Sequence, residues 1–146
     1  MKSRTIARSI ALQVLYEKDI SGHSPYLALE QRLLEENYDK KIIEFSHKII
    51  LGVTSIVDKL DNFIAVHAPE WPIDQVAIID RNIIRIALWE FAVDGSTPIK
   101  VAINEAIELS KLYGSDSTPR FVNGVLGSLA NRQIELRKEF GHINKE

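Results

Sequence analysis

Wherever apolar residues are dense in this chain they return every third or fourth position, and nowhere do they alternate. Ile42, Phe45, Ile49, Val53, Ile56, Leu60 and Phe63 make the longest such series. That spacing lays one stripe along a helix, whereas on a strand it would scatter over both faces. The β-branched clusters from Lys41 to Thr54 and from Gln75 to Ile86 keep the helical period as well. The expectation is an all-α, single-domain bundle of about seven helices. At 146 residues, one domain is enough to bury a core.

The helices can be placed along the chain. The first is expected from about Arg4 to Lys18, with Ala7, Ile10, Ala11, Val14 and Leu15 inward. Ser24-Pro25 opens a second, to about Asn37, burying Tyr26, Leu29 and Leu33, with Leu27 and Leu34 widening the stripe. Asp39 caps a long helix to about Val66, bent at Gly52, which is the expected spine of the bundle. Pro69 and Pro72 end it, and Pro72 opens a short turn through Val76. Another helix follows to about Ala92, with Arg81, Arg85 and Trp89 on one face, where an arginine stem can lie on the indole.

The stretch from Pro98 to Leu126 is the most structured of all. It reads as helix, stop, polar loop, helix, with Gly114 as a left-handed C-terminal residue, Thr118 as N-cap and Pro119 at the first helical position. Gly124 and Gly127 are costly inside a helix, so a close approach of a neighbouring backbone or a ligand is expected there. Residues 1–140 form the expected domain, and Gly141 to Glu146 a frayed tail.

Charge is unevenly spread. The net charge is −2, yet the first sixteen residues hold Lys2, Arg4 and Arg8 and no acid. Residues 120–138 hold Arg120, Arg132, Arg137 and Lys138 against Glu135 alone. The middle of the chain is acidic. Basic ends on an acidic body can present a phosphate-binding patch. Arg4 and Arg8, four apart on a helix, could meet successive phosphates, although such a pair also serves plain solubility. Thr118-Pro119-Arg120-Phe121 sets a cation and an aromatic at a helix N-terminus, and Asn123 can read a base edge. Phe121 fits either a base or the core, and Tyr16 likewise.

Other chemistry is poorly supported. There are no cysteines. His23, His47, His67 and His142 do not pair at helical spacing, so no metal or cofactor is expected. Glu105 and Glu108 sit where carboxylates complement a helix dipole, and no catalytic constellation is expected. No apolar run is long enough for a membrane span, and no secretory signal pattern is present, so a cytoplasmic protein is expected.

Three separated stretches resemble one family. Lys100 to Glu108 (KVAINEAIE), Gly114 and Arg120 to Leu126 (RFVNGVL) are similar to the signature of the NusB family. Asp80 to Glu90 (DRNIIRIALWE) resembles its second signature, and Arg8 to Tyr16 (RSIALQVLY) its first helix. The resemblance implies a small all-helical transcription antitermination factor that binds the boxA element of nascent RNA with the ribosomal protein NusE, in a complex with RNA polymerase. It carries an RNA surface onto Arg4, Arg8, Tyr16, Arg81, Arg120, Phe121 and Asn123, to which the charge reading adds Lys2, and a partner contact onto Asp80. The family's run of adjacent arginines is interrupted here by Thr5 and Ile6, so weak RNA binding by the protein alone is expected. The alternatives are a helical protein–protein adaptor without RNA, or a helical module like that of ribosomal-RNA cytosine methyltransferases. The latter is weak for a chain that reaches Glu146 without a cofactor domain.

Overall fold

A computed structural model describes residues 2–144, the last three as backbone only. Eight α-helices make up the described fold: α1 (Ser3–Ser21), α2 (Pro25–Glu35), α3 (Lys40–Ser55), α4 (Val57–His67), α5 (Ile78–Leu88), α6 (Ile99–Tyr113), α7 (Thr118–Ala130) and α8 (Gln133–Asn144). A 3-10 turn at Ile73–Gln75 precedes α5, and a π-helical turn at Trp89–Asp94 prolongs it. No strand occurs among the described residues. Of the tail expected from Gly141 to Glu146, the last two residues lie outside the described ones, and α8 runs to Asn144.

The spine is α5 rather than the long helix expected from Asp39. Every residue from Asn82 to Glu90 is buried, and α5 packs against α1, α6 and α7. A helix covered on all sides must pair its polar groups inside. Arg85 does so with both oxygens of Asp61 on α4, at 2.8 and 2.7 Å, and with Asp19 on α1 at 2.9 Å. Asn82 reaches the same Asp19 oxygen at 3.0 Å. Arg85 therefore ties three helices together through its guanidinium.

The expected long helix divides at Ile56, whose φ of −132° and ψ of 27° leave the helical region. The cause is local. Thr54 and Ser55 turn their hydroxyls back onto the Ile50 and Leu51 carbonyls, at 2.7 and 2.5 Å, which competes with continuation of the helix. Gly52 is thus not a bend. It is a gap for Trp89, since a Cβ there would lie 2.2 Å from the indole Nε1. Trp89 is only 4% exposed and has no room to slide. Gly52→Ala is expected to lose about 1–3 kcal/mol through overpacking. An unchanged urea midpoint would show that the indole yields freely.

Two other local expectations change. Tyr26 is half exposed, and α2 turns Ala28 and Leu29 inward because it leans chiefly on α1. Gly114 is extended (φ −90°, ψ −175°), not left-handed. It is a point of close approach, where a Cβ would meet Thr118 Cβ at 2.5 Å. Ser117 occupies the cap position and Thr118 is already helical. Gly124 and Gly127 admit no backbone: a Cβ at Gly124 would lie 3.8 Å from the Trp71 ring, and one at Gly127 would meet nothing within 4 Å.

Candidate nucleic-acid interface

The candidate residues divide into two ends of one seam, formed where α1 runs beside α6. At the first end, the N-terminal turn of α1 exposes Lys2 and Arg4. The Arg4 guanidinium lies 4.3 Å from the centre of the Phe45 ring, and one of its nitrogens donates to Thr97 Oγ1 at 3.3 Å. A cation seated on an aromatic face and tied at one edge has lost much of its rotamer freedom. Its remaining N–H groups are left for a partner.

Arg8 lines the same recess as Lys2 and Arg4 but is almost wholly buried, with 4% exposed. Its Nε and one terminal nitrogen donate to both oxygens of Glu90, at 2.6 and 2.7 Å, and the other nitrogen donates to Glu105 at 2.8 Å. Burial lowers its pKa, but Glu90 and then Glu105 outweigh that and hold it above the ordinary value. The expected phosphate contact is therefore corrected: Arg8 is a buried strut between α1, α6 and the π-helical turn. Glu105, read from the sequence as a dipole carboxylate, also accepts from Thr5 at 2.6 Å. Thr97 links the strut to the surface, donating to Glu90 at 2.8 Å while it accepts from Arg4.

Further along the seam, Tyr113 of α6 contacts Ser9 and accepts from Gln13 at 3.1 Å. Tyr16, 38% exposed, lines a recess with Tyr113 and Ile79. Twelve residues of α1 separate Arg4 from Tyr16, about 18 Å along the axis at the usual helical rise. A second site lies on elements adjacent in sequence to Ile79 and Tyr113, at Asp80 and at the start of α7.

That second site is a cleft of about 630 Å³ between the start of α5 and the start of α7. Trp71, Asp80, Arg120 and Phe121 are among its walls, and the bare helix surface at Gly124 opens one side. The Trp71 and Phe121 rings meet edge to face with centres 6.4 Å apart. Phe121 packs partly into the core and also lines the cleft. Asp80 accepts from Thr118 Oγ1 at 3.0 Å, and Thr118 Oγ1 accepts from the Ser115 N–H at 2.9 Å. Burial raises the pKa of Asp80, against the lowering effect of the Thr118 hydrogen bond. Asn123 is exposed, three residues after Arg120 and so on the same side of α7. Arg81 does not line the cleft. It is half-buried, and its Nε has no hydrogen-bond partner among the described residues.

Lys2, Arg4, Tyr16, Arg120, Phe121 and Asn123 thus reach the surface near the seam or the cleft, whereas Arg8 is almost wholly buried and Arg81 is half-buried away from the cleft lining. Sequence reasoning missed Phe45, Thr97 and Trp71. Phe45 looked like core and Trp71 like part of a helix breaker. Only the pairing of distant helices shows what they face.

The NusB family model matches residues 5–131. The transcription antitermination protein NusB of Roseiflexus sp. (strain RS-1) is 44% identical over 137 residues, covering 92% of this chain and 96% of that protein. NusB of Bacillus pumilus (strain SAFR-032) is 41% identical over 131 residues, covering 90% and 96%. Among solved structures, T. maritima NusB aligns with a TM-score of 0.80 at 30% identity, over 90% of this chain and 92% of that one. A chain from the crystal structure of antitermination factors NusB and NusE in complex with double-stranded RNA aligns with a TM-score of 0.81 at 26% identity, over 90% and 98%.

Proposed function

This chain belongs to the NusB family, and on that premise we propose that it is a transcription antitermination factor binding boxA-type single-stranded RNA together with the ribosomal protein NusE. The observation that carries the reading is the seam itself. One end presents Lys2 and a pre-set Arg4, the middle presents Tyr16, and the far end is an aromatic cleft with Arg120 on its wall. Cations can hold a backbone while aromatic faces take unstacked bases. A NusE-type protein is the partner that would enlarge so narrow a cationic strip, and Asp80 at the cleft is the residue assigned to its contact. The same complex would include RNA polymerase.

The reading needs no catalytic step. Glu90 and Glu105, the carboxylates inside the seam, are occupied by Arg8, Thr97 and Thr5. No described helix is long and apolar enough to cross a membrane. We place the protein in the cytoplasm, where bacterial transcription occurs.

The test is titration of labelled boxA-type RNA with the protein across a salt series. Binding should weaken linearly on logarithmic axes, and Arg4→Gln should flatten the slope by about 0.7, the value for one phosphate contact on a single strand. Binding that ignores salt, or none with NusE present, would leave the protein–protein adaptor as the better account.

A further inference from the structure

The α1 sequence is short of cations, but α3 brings more to the same place. Arg4 stands between two recesses. One faces Thr97. The other, of about 290 Å³, is lined by Ser3 and Arg4 of α1 and by Lys41, Glu44, Phe45 and Lys48 of α3. Lys41, Phe45 and Lys48 fall at i, i+4 and i+7, so the two lysines flank the ring on which Arg4 sits. Two carboxylates belong to the same neighbourhood, Glu44 in the recess and Asp94 beside Lys48. Glu44 lies 3.7 Å from Lys40, and Asp94 is engaged by Lys48 at 2.9 Å. Among the described residues no carboxylate neutralises Arg4 or Lys41.

We propose that this recess is a phosphate subsite for an RNA backbone, built by Arg4, Lys41 and Lys48, that carries the nucleic-acid track from α1 onto α3. The inference rests on the RNA-binding reading above and extends its site. A guanidinium with its face on Phe45 offers its edge to solvent, and an edge is the part that forks onto phosphate oxygens. The ammonium groups of Lys41 and Lys48, which line the same recess, can meet the remaining oxygens as point charges. Lys48 would exchange Asp94 for phosphate, and it is more than half exposed, so it can move. The three cations come from two helices far apart in the sequence, which supplies in space what the interrupted arginine run lacks.

The test uses the full chain and labelled single-stranded boxA-type RNA, with binding followed by anisotropy across a salt series. Lys41→Gln with Lys48→Gln should flatten the logarithmic salt slope by up to about 1.4, two contacts at about 0.7 each. Lys111→Gln, at an exposed i,i+3 pair with Glu108 on α6, should leave the slope near that of the wild type. Both lysines are exposed, and a glutamine amide at position 48 can still donate a hydrogen bond to the buried Asp94, so folding should survive. A slope unchanged in the double variant overturns the subsite while leaving RNA binding intact. Weaker docking of NusE in the absence of RNA, with an unchanged RNA slope, would instead give the recess to a protein contact and also overturn it. A wild-type protein that binds no RNA, with or without NusE, overturns the functional reading and the subsite together.

Discussion

Arg8→Ala is expected to cost this protein about 3–5 kcal/mol of stability, the usual penalty for stranding one member of a buried ion pair. Among the described residues, Glu90, 1% exposed, would then keep only Thr97 as a side-chain partner, and Glu105 would keep Thr5. At roughly 3 °C per kcal/mol for a chain of this size, the melting temperature should drop by roughly 10 °C. Urea unfolding would read the loss as a lower midpoint at an unchanged slope. Removing both charges separates the pair from its packing. Arg8→Leu combined with Glu90→Leu should recover much of the loss, because a well-packed apolar pair replaces two desolvated charges. The RNA salt slope should then stay near that of the wild type. If Arg8→Ala keeps its midpoint and loses an RNA contact instead, Arg8 swings out to bind phosphate and the strut is not its role.

NusE and RNA should tighten each other's binding by the same factor, of roughly 5–150-fold, corresponding to a coupling of about 1–3 kcal/mol. The motive is electrostatic. A narrow row of cations on a chain of net charge −2 holds RNA poorly alone, and a basic partner beside it reduces the repelling field. Two substitutions on facing walls of one cleft separate the contributions. Asp80→Arg should weaken NusE, and through it RNA, while intrinsic RNA affinity stays equal or improves. Burial raises the pKa of Asp80 against the Thr118 hydrogen bond, and its replacement by arginine exchanges an acidic group in the cleft for a cation. Arg120→Glu should weaken RNA directly and leave NusE nearly untouched when RNA is absent. The measurement is a pair of RNA titrations at one salt concentration, with and without saturating NusE. Equal affinities in the two would remove the coupling.

The helical period of the apolar residues determined the fold class, because burial of a stripe every three or four residues has no other regular solution in water. Proline and polar clusters likewise set most of the helix ends, since their effects act through the adjacent backbone. The residues of the cleft were also legible in part: Arg120 and Phe121 stand at a helix start whatever surrounds them. What the sequence left open was the destination of each polar side chain. Arg4 and Arg8 are the same residue type, one turn apart, on the same acid-free helix end. Glu90 and Glu105, 82 and 97 positions away from Arg8, take it into the interior, while Phe45 and Thr97 hold Arg4 at the surface. The same holds for Gly52, whose bareness serves an indole on another element, and for Gly114, which makes room for the Thr118 that binds Asp80. Local backbone preference acts over a few residues and can be read along the chain. Desolvation, ion pairing and close packing act between surfaces that meet only when the helices do, so only the tertiary structure decided which cations stay at the surface.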